Sequence, residues 1–179
     1  KRYRSGDNRG MLRGKRHITE RPACVESRQE FGHWEGDTVM GSDMRHCVLT
    51  LVERSTGQAH IRKLKNRTMA EATNALLAII SSRPSDFKTI TFDNGTEFHD
   101  YKTIERHFAT KCYFATPYHS WERGTNESFN GLLRQYIPKG MCMSTLTQAE
   151  CNTYTSELNR RPRKRLGFRT PDWMYHQVR

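Results

Sequence analysis

The chain is predicted to fold as a mixed α/β domain, a five-stranded mixed sheet flanked by helices. Three observations predict it. Three β-like runs follow one another across tight turns, the apolar period then switches from two to about 3.6, and short β-branched runs alternate with helical ones after that. At 179 residues the chain is long enough for one domain with extensions and hardly for two.

The elements follow in order. Phe31 to Met40 reads as a strand, and Cys47 to Glu53 as a second beyond the turn at Gly41-Ser42-Asp43. Gln58 to Leu64 is a third, after the turn at Ser55-Thr56-Gly57. Two tight connections make these antiparallel neighbours. Met69, Ala72, Leu76 and Ile79 then recur at helical spacing, with a T-x-x-E capping box at Thr68 and Glu71 and a stop at Pro84. Lys88 to Phe92 is a short strand, a helix is expected around Glu97 to His107, and Lys111 to Ala115 is a further strand. A helix carrying Glu127 follows, then one from Thr147 to about Arg160, opened by a second capping box at Thr147 and Glu150 with Cys151, Tyr154 and Leu158 on one face. Three strands, helix, strand, helix, strand, helix is the order of an RNase H-like domain. Around this core, expected over residues 29–160, residues 1–28 read as a basic arm and residues 161–179 as a basic, Pro-interrupted tail. The opening Lys1, without an initiator Met, is what a fragment of a longer protein would show.

Net charge is +11 and the sequence pI about 9.7, which favours a polyanionic partner. Lys1, Arg2, Arg4, Lys15 and Arg16 in the arm, and Arg163, Lys164 and Arg165 in the tail, are candidates to track DNA phosphates; a solvated charge run is the bland alternative. No apolar run approaches the roughly 20 residues of a membrane span, and no signal peptide is apparent. Five cysteines without a C-x-x-C pair argue against a disulfide framework or zinc finger and suit a reducing cytoplasm. His99, His107 and Cys112 are close in sequence, but their spacing matches no common zinc pattern.

Three carboxylates stand in distinctive surroundings: Asp37 in HWEGDTVMG, Asp93 in TFDNGTEF and Glu127 in YHSWERGTNESFNGLLRQY. Asp37 lies inside a strand, where aspartate is disfavoured and a buried carboxylate is costly unless a cation or donor meets it. Asp93 closes a strand at an Asp-Asn-Gly turn, by itself an ordinary turn signal. If the first and fourth strands are neighbours, the two aspartates lie side by side. Glu127, Asn130 and Arg134 form one stripe of their helix, opposite Phe129, Leu132, Leu133 and Tyr136, so the polar stripe can face a site while the apolar one packs. Trp121 and Arg123, in the preceding loop, and Asn130 and Arg134 are candidate DNA contacts; an ordinary surface arginine is the other reading of Arg134. Glu35, Glu97 and Glu122 are rivals for the acidic roles, with Glu122 held less firmly on its loop. An all-oxygen site of this kind suits Mg²⁺, or Mn²⁺ in its place, and two such ions can activate a water or 3′-hydroxyl and stabilise the leaving oxygen of a phosphodiester.

FGHWEGDTV, LVER, KTITFDNGTEF, PYHSWERGTNE, NGLLRQYIPKG and NRRPRKRLGFRTP, in this order from about Thr19 to Pro171, resemble the DDE transposases and retroviral-type integrases, specifically the IS-thirty family of bacterial insertion sequences. The resemblance implies an RNase H-like fold, Asp37, Asp93 and Glu127 as catalytic metal ligands, and Arg134 at the basic position seven residues on. It implies Mg²⁺-dependent cleavage at transposon ends and joining of the 3′-hydroxyl to target DNA, in a homodimer or higher assembly in the bacterial cytoplasm. Members usually begin with a helix-turn-helix region that reads the element's ends, and nothing here resembles it. A nuclease of the same fold that only hydrolyses, and a DNA-binding remnant that no longer cuts, are the competing functions.

Overall fold

In the computed structural model, which describes residues 12, 14–117 and 119–178, the sheet is organised around β1 (His33–Met40). Its one flank is the meander of β2 (Cys47–Glu53) and β3 (Ala59–Leu64), both pairings antiparallel. Its other flank is β4 (Thr89–Phe92) and then β5 (Lys111–Phe114), both parallel, for a strand order of β3-β2-β1-β4-β5. The expected five-stranded mixed sheet is therefore formed, and the first and fourth strands are neighbours. The parallel pairings need crossovers, which α2 (Met69–Ser82) and α3 (Tyr101–His107) supply.

Alternation along the strands divides the core in two. Trp34, Leu49, Leu51, Ile90, Phe92 and Phe114 point to the face covered by α2 and α3, where Leu76, Ile80 and Ile104 meet them. Val39, Val48, Val52 and Ile61 point to the opposite face, covered by α4 (Gly124–Leu133) and α5 (Gln148–Asn159) through Phe129, Leu133, Cys151 and Leu158. Helix α5 begins with the full capping box at Thr147 and Glu150. At α2 only half of the box forms: Thr68 accepts from Glu71 N, but the Glu71 carboxylate turns back to Lys65 N.

Gly36 shows how tightly the two central strands are set. A Cβ there would lie 2.5 Å from Phe92 Cε1 and 2.7 Å from its Cδ1. Gly36→Ala is expected to destabilise the domain by about 1–3 kcal/mol through overpacking, read as a lower urea midpoint at unchanged m-value.

His60, on β3, stacks on Trp34 with ring centroids 5.4 Å apart. Burial, reinforced by Arg62 and Arg83, lowers its pKa from 6.5 to about 4. The unfolded chain therefore takes up this proton first as the pH falls, so stability should decline between pH 6.5 and about 4. His60→Gln should flatten that limb of a pH–stability curve; an unchanged limb would assign the loss to other groups.

Several expectations are corrected at the edges. The helix expected around Glu97 to His107 is split into a 3₁₀ turn at Thr96–Phe98 and α3, because Glu97 turns inward to polar partners while Asp100 leaves helical geometry at ψ 25°. The arm does not trail away over its described part. His17 bridges to Phe114, Arg16 O accepts from Phe114 N, and Val25, in the short α1 (Cys24–Ser27), is 1% exposed, so residues 14–28 lie on the core. The tail also closes back: α6 (Pro171–Gln177), capped by Thr170, buries Tyr175 against Phe31 and its hydroxyl bonds Asp86. The T-P-D-W start of that helix, a cap residue followed by Pro at the first helical position, was a legible signal. Among the described residues no helix is long and apolar enough to cross a membrane.

Candidate active site

The parallel register pairs His33 with Thr89 and Glu35 with Thr91. Two residues beyond this last pair stand Asp37, still within β1, and Asp93, immediately past the end of β4. Asp37 is held in place by three neighbours. Thr38 N donates to its Oδ1 at 2.9 Å, Asn130 Nδ2 to its Oδ2 at 3.0 Å, and the Thr50 hydroxyl reaches its backbone carbonyl at 3.4 Å. Asn130 comes from α4, one turn beyond Glu127. The polar stripe of that helix is thus turned toward Asp37, while Thr125, Asn126, Phe129 and Leu133 are buried beneath it. Glu127 itself is exposed on this stripe.

Between the two aspartates stands a cation of the chain itself. Arg123 is 8% exposed, with Nη1 3.5 Å from Asp37 Oδ2 and Nη2 3.8 Å from Asp93 Oδ2. Its expected place among DNA contacts is thereby replaced: the residue is folded into the carboxylate pair rather than presented at the surface. Burial pushes the Asp37 carboxyl above its usual range; Arg123 counters this, and the charge on Asp93 adds to it.

The rival carboxylates have other duties. Glu35, completely buried, ion-pairs with Arg54 through one oxygen and accepts from Asn126 N at 2.8 Å through the other. It therefore satisfies a backbone donor at the start of α4, immediately before Glu127. Glu122 spends both oxygens on Thr116, at 2.7 Å to its backbone N and 2.9 Å to its hydroxyl, which ties down the loop after β5. Glu97 binds Thr38 Oγ1 and Arg67 Nε through Oε1, each at 2.6 Å, while its buried Oε2 has no hydrogen-bond partner. A Cβ on Gly95 would lie 2.5 Å from that oxygen and 2.9 Å from Asp93 Oδ1, so the glycine of the Asp-Asn-Gly turn is needed to let the two carboxylates converge.

The remaining candidates are dispersed. Trp121 is 66% exposed and stacks on His119. Arg134 is half-buried and donates to Ile137 O at 3.3 Å, satisfying a carbonyl just past the end of α4. Lys15 bonds Asn94 and Arg16 pairs with Glu105, whereas Lys1, Arg2 and Arg4 lie outside the described residues. Arg163, Lys164 and Arg165, with Arg28 and Arg161, line a groove whose other wall is Gly124, Thr125 and Ser128 of α4. Sequence reasoning passed over Arg54, Arg67, Thr38 and Thr50. Only Arg54 left a signal, as the end of the LVER run.

The chain is similar to known proteins in sequence and in fold. Residues 27–120 match the integrase core domain. The transposase for insertion sequence element IS4351 of Bacteroides fragilis is 40% identical over 178 residues, covering 99% of this chain and 55% of that protein. Transposase InsI for insertion sequence element IS30A of Escherichia coli (strain K12) is 39% identical over 155 residues, covering 86% of this chain and 40% of that protein. The chain thus spans about half the length of the curated relatives it matches. Among solved structures, the HTLV-2 integrase catalytic core domain in complex with magnesium superposes with a TM-score of 0.59 at 21% identity, over 81% of this chain and 95% of that one. A chain of the simian T-cell lymphotropic virus intasome in complex with PP2A regulatory subunit B56 gamma gives a TM-score of 0.66 at 18% identity, over 81% of this chain and 54% of that one. The likeness in fold and the match over residues 27–120 agree, and the chain belongs to the integrase core domain family.

Proposed function

We propose that this chain is the catalytic core of a DDE transposase, which cleaves DNA at transposon ends and transfers the freed 3′-hydroxyl into target DNA in the bacterial cytoplasm. One observation carries the reading. Asp37 in β1 and Asp93, immediately past the end of the neighbouring parallel β4, meet one cation, Arg123, and the helix stripe that bears Glu127 reaches Asp37 through Asn130. The relatives, named as transposases, supply the reaction class.

The donor set fits a hard divalent cation. It is made of carboxylate oxygens, and the buried Glu97 Oε2, which has no hydrogen-bond partner, adds negative charge beside Asp93. Asp37, Asp93 and Glu127 would hold Mg²⁺, in two ions, and the metal when bound activates the attacking oxygen and stabilises the leaving one. The chain's own residues do the rest. Arg123 contacts both aspartates and offsets one of their two negative charges. Asn130 keeps Asp37 oriented, and the β1–β4 pairing, which ends at Glu35 and Thr91, brings the two aspartates to the same end of neighbouring strands. Arg163, Lys164 and Arg165 receive DNA phosphates in the groove beside α4. Joining two transposon ends calls for at least a dimer on DNA.

A strand-transfer assay with a pre-cleaved end in Mg²⁺ or Mn²⁺ tests the reading. Joined product that disappears in Asp93→Asn supports it; hydrolysis without joining would make the chain a nuclease of the same fold. Neither reaction, together with a Mn²⁺-soaked crystal showing no anomalous peak at Asp37 and Asp93, would leave a DNA-binding remnant. DNA affinity should fall steeply with salt, and Lys164→Ala should reduce the log–log slope by about 1. An unchanged slope would take Lys164 off the DNA.

A further inference from the structure

The face of β1 that carries Asp37 begins at His33, and the chain leading into the strand brings Glu30 and Cys24 to the same place. One ligand atom from each of Cys24, Glu30 and His33 lies within 4.8 Å of the other two. We propose that these three side chains bind one borderline-soft divalent cation of the zinc class, with a fourth position open to water.

The donor set is the first reason. A thiol, an imidazole and a carboxylate together are the ligands zinc takes, whereas the oxygen-only set at Asp37 and Asp93 suits a hard ion. Spacing is the second. His33 Nε2 lies 3.3 Å from Glu30 Oε2, close to the edge of a tetrahedron built on zinc bonds of roughly 2.0–2.1 Å, about 3.4 Å. The outer shell is the third, and it is already assembled. His33 Nδ1 is 2.8 Å from the Thr89 hydroxyl, and Lys88 Nζ donates to the other Glu30 oxygen at 2.6 Å. Without a cation, His33 Nε2 and Glu30 Oε2 hydrogen-bond to each other; with a cation on Nε2 the Nδ1–H donates to the Thr89 hydroxyl, which fixes the ring in the ligating tautomer.

Access and anchoring differ along the site in a useful way. His33 is 4% exposed and fixed on the sheet, while Cys24 is exposed and gives the ion a way in. Bound there, the cation fastens the segment from Cys24 to Glu30 onto β1 and, through Lys88 and Thr89, onto the start of β4. The role is therefore structural, a clip on the segment that also lays Val25 and Arg21 against the sheet. The Cys-x₅-Glu-x₂-His spacing matches no common zinc pattern, and for that reason it was illegible before the fold brought the three together.

Tag-free protein titrated with Co²⁺ and then competed with Zn²⁺ decides the matter. The expected result is a thiolate-to-cobalt charge-transfer band that saturates at one equivalent and is bleached by Zn²⁺. Cys24→Ser should abolish it, and Cys142→Ser, at the other exposed cysteine, should leave it intact. Thr89→Val, which removes the hydroxyl that orients His33, should weaken the Kd about 10–100-fold, while Asp37→Asn should not alter the band. No band in the wild-type protein, or a band that survives Cys24→Ser, would overturn the site. Since Cys24 is exposed, its serine variant carries little risk to folding, and circular dichroism would verify that.

Discussion

Asp37→Asn is expected to reduce metal-dependent strand transfer by at least about a thousandfold, while leaving the domain as stable as the wild-type protein or more so. The loss follows from the role proposed for the carboxylate, since stabilisation of several kcal/mol by a correctly held metal ion corresponds to three or more decades in rate. The stability half follows from the cost of the charge. Burial disfavours the ionised carboxyl; Arg123 returns part of this cost and Asp93 adds a smaller one, so the carboxyl stays above its ordinary range. A carboxyl whose folded pKa is raised keeps its proton longer than in the unfolded chain, so its contribution to stability declines as the pH rises past the ordinary carboxylate range. Asparagine carries no such charge and still offers an oxygen to Thr38 N. Gel analysis of joined product alongside thermal melting would check both halves. Normal cutting would remove Asp37 from the chemistry, and a sharply lower melting temperature would make it a structural residue instead.

Glu35→Ala has the opposite profile, with stability lost first. Glu35 and Arg54 are both buried, and deleting the carboxylate leaves the guanidinium charge uncompensated and the Asn126 N–H without its acceptor. Breaking such a pair costs about 3–5 kcal/mol. Activity should fall further than the unfolded fraction accounts for, because the lost bond positions the first turn of α4, where Glu127 stands. Glu35→Gln keeps an acceptor for Asn126 and should lose less. Urea denaturation provides the measurement; a change below about 1 kcal/mol in the alanine variant would mean that Arg54 finds compensation elsewhere.

The two variants also separate what could be seen in the sequence from what could not. Asp37 announces itself because an aspartate amid a β-forming run contradicts local preference, and such contradictions mark functional sites. The strand ends, the switch of period at Met69 and the capping box at Thr147 were legible for the same reason: each is a local rule expressed within a few residues. Glu35 carries an equally unusual placement, yet its job as partner of Arg54 and anchor of α4 rests on contacts 19 and 91 residues away in the chain. Arg123 was misplaced because nothing local distinguishes an arginine that meets DNA from one that turns inward.

The mixed sheet and the order of its elements were legible from the residues alone, because hydrophobic period, turn residues and caps act between near neighbours. The approach of Asp37 and Asp93 to one another came from the tertiary structure, since it depends on the parallel pairing of β1 with β4 across the α2 crossover. The same holds for Arg123 meeting both carboxylates, for residues 14–28 lying on the core, and for the tail packing on it through Pro171 and Tyr175. Charge and composition describe what a segment can bind, but burial depends on which apolar faces remain uncovered once the sheet has formed. Val25 and Tyr175 cover two of them.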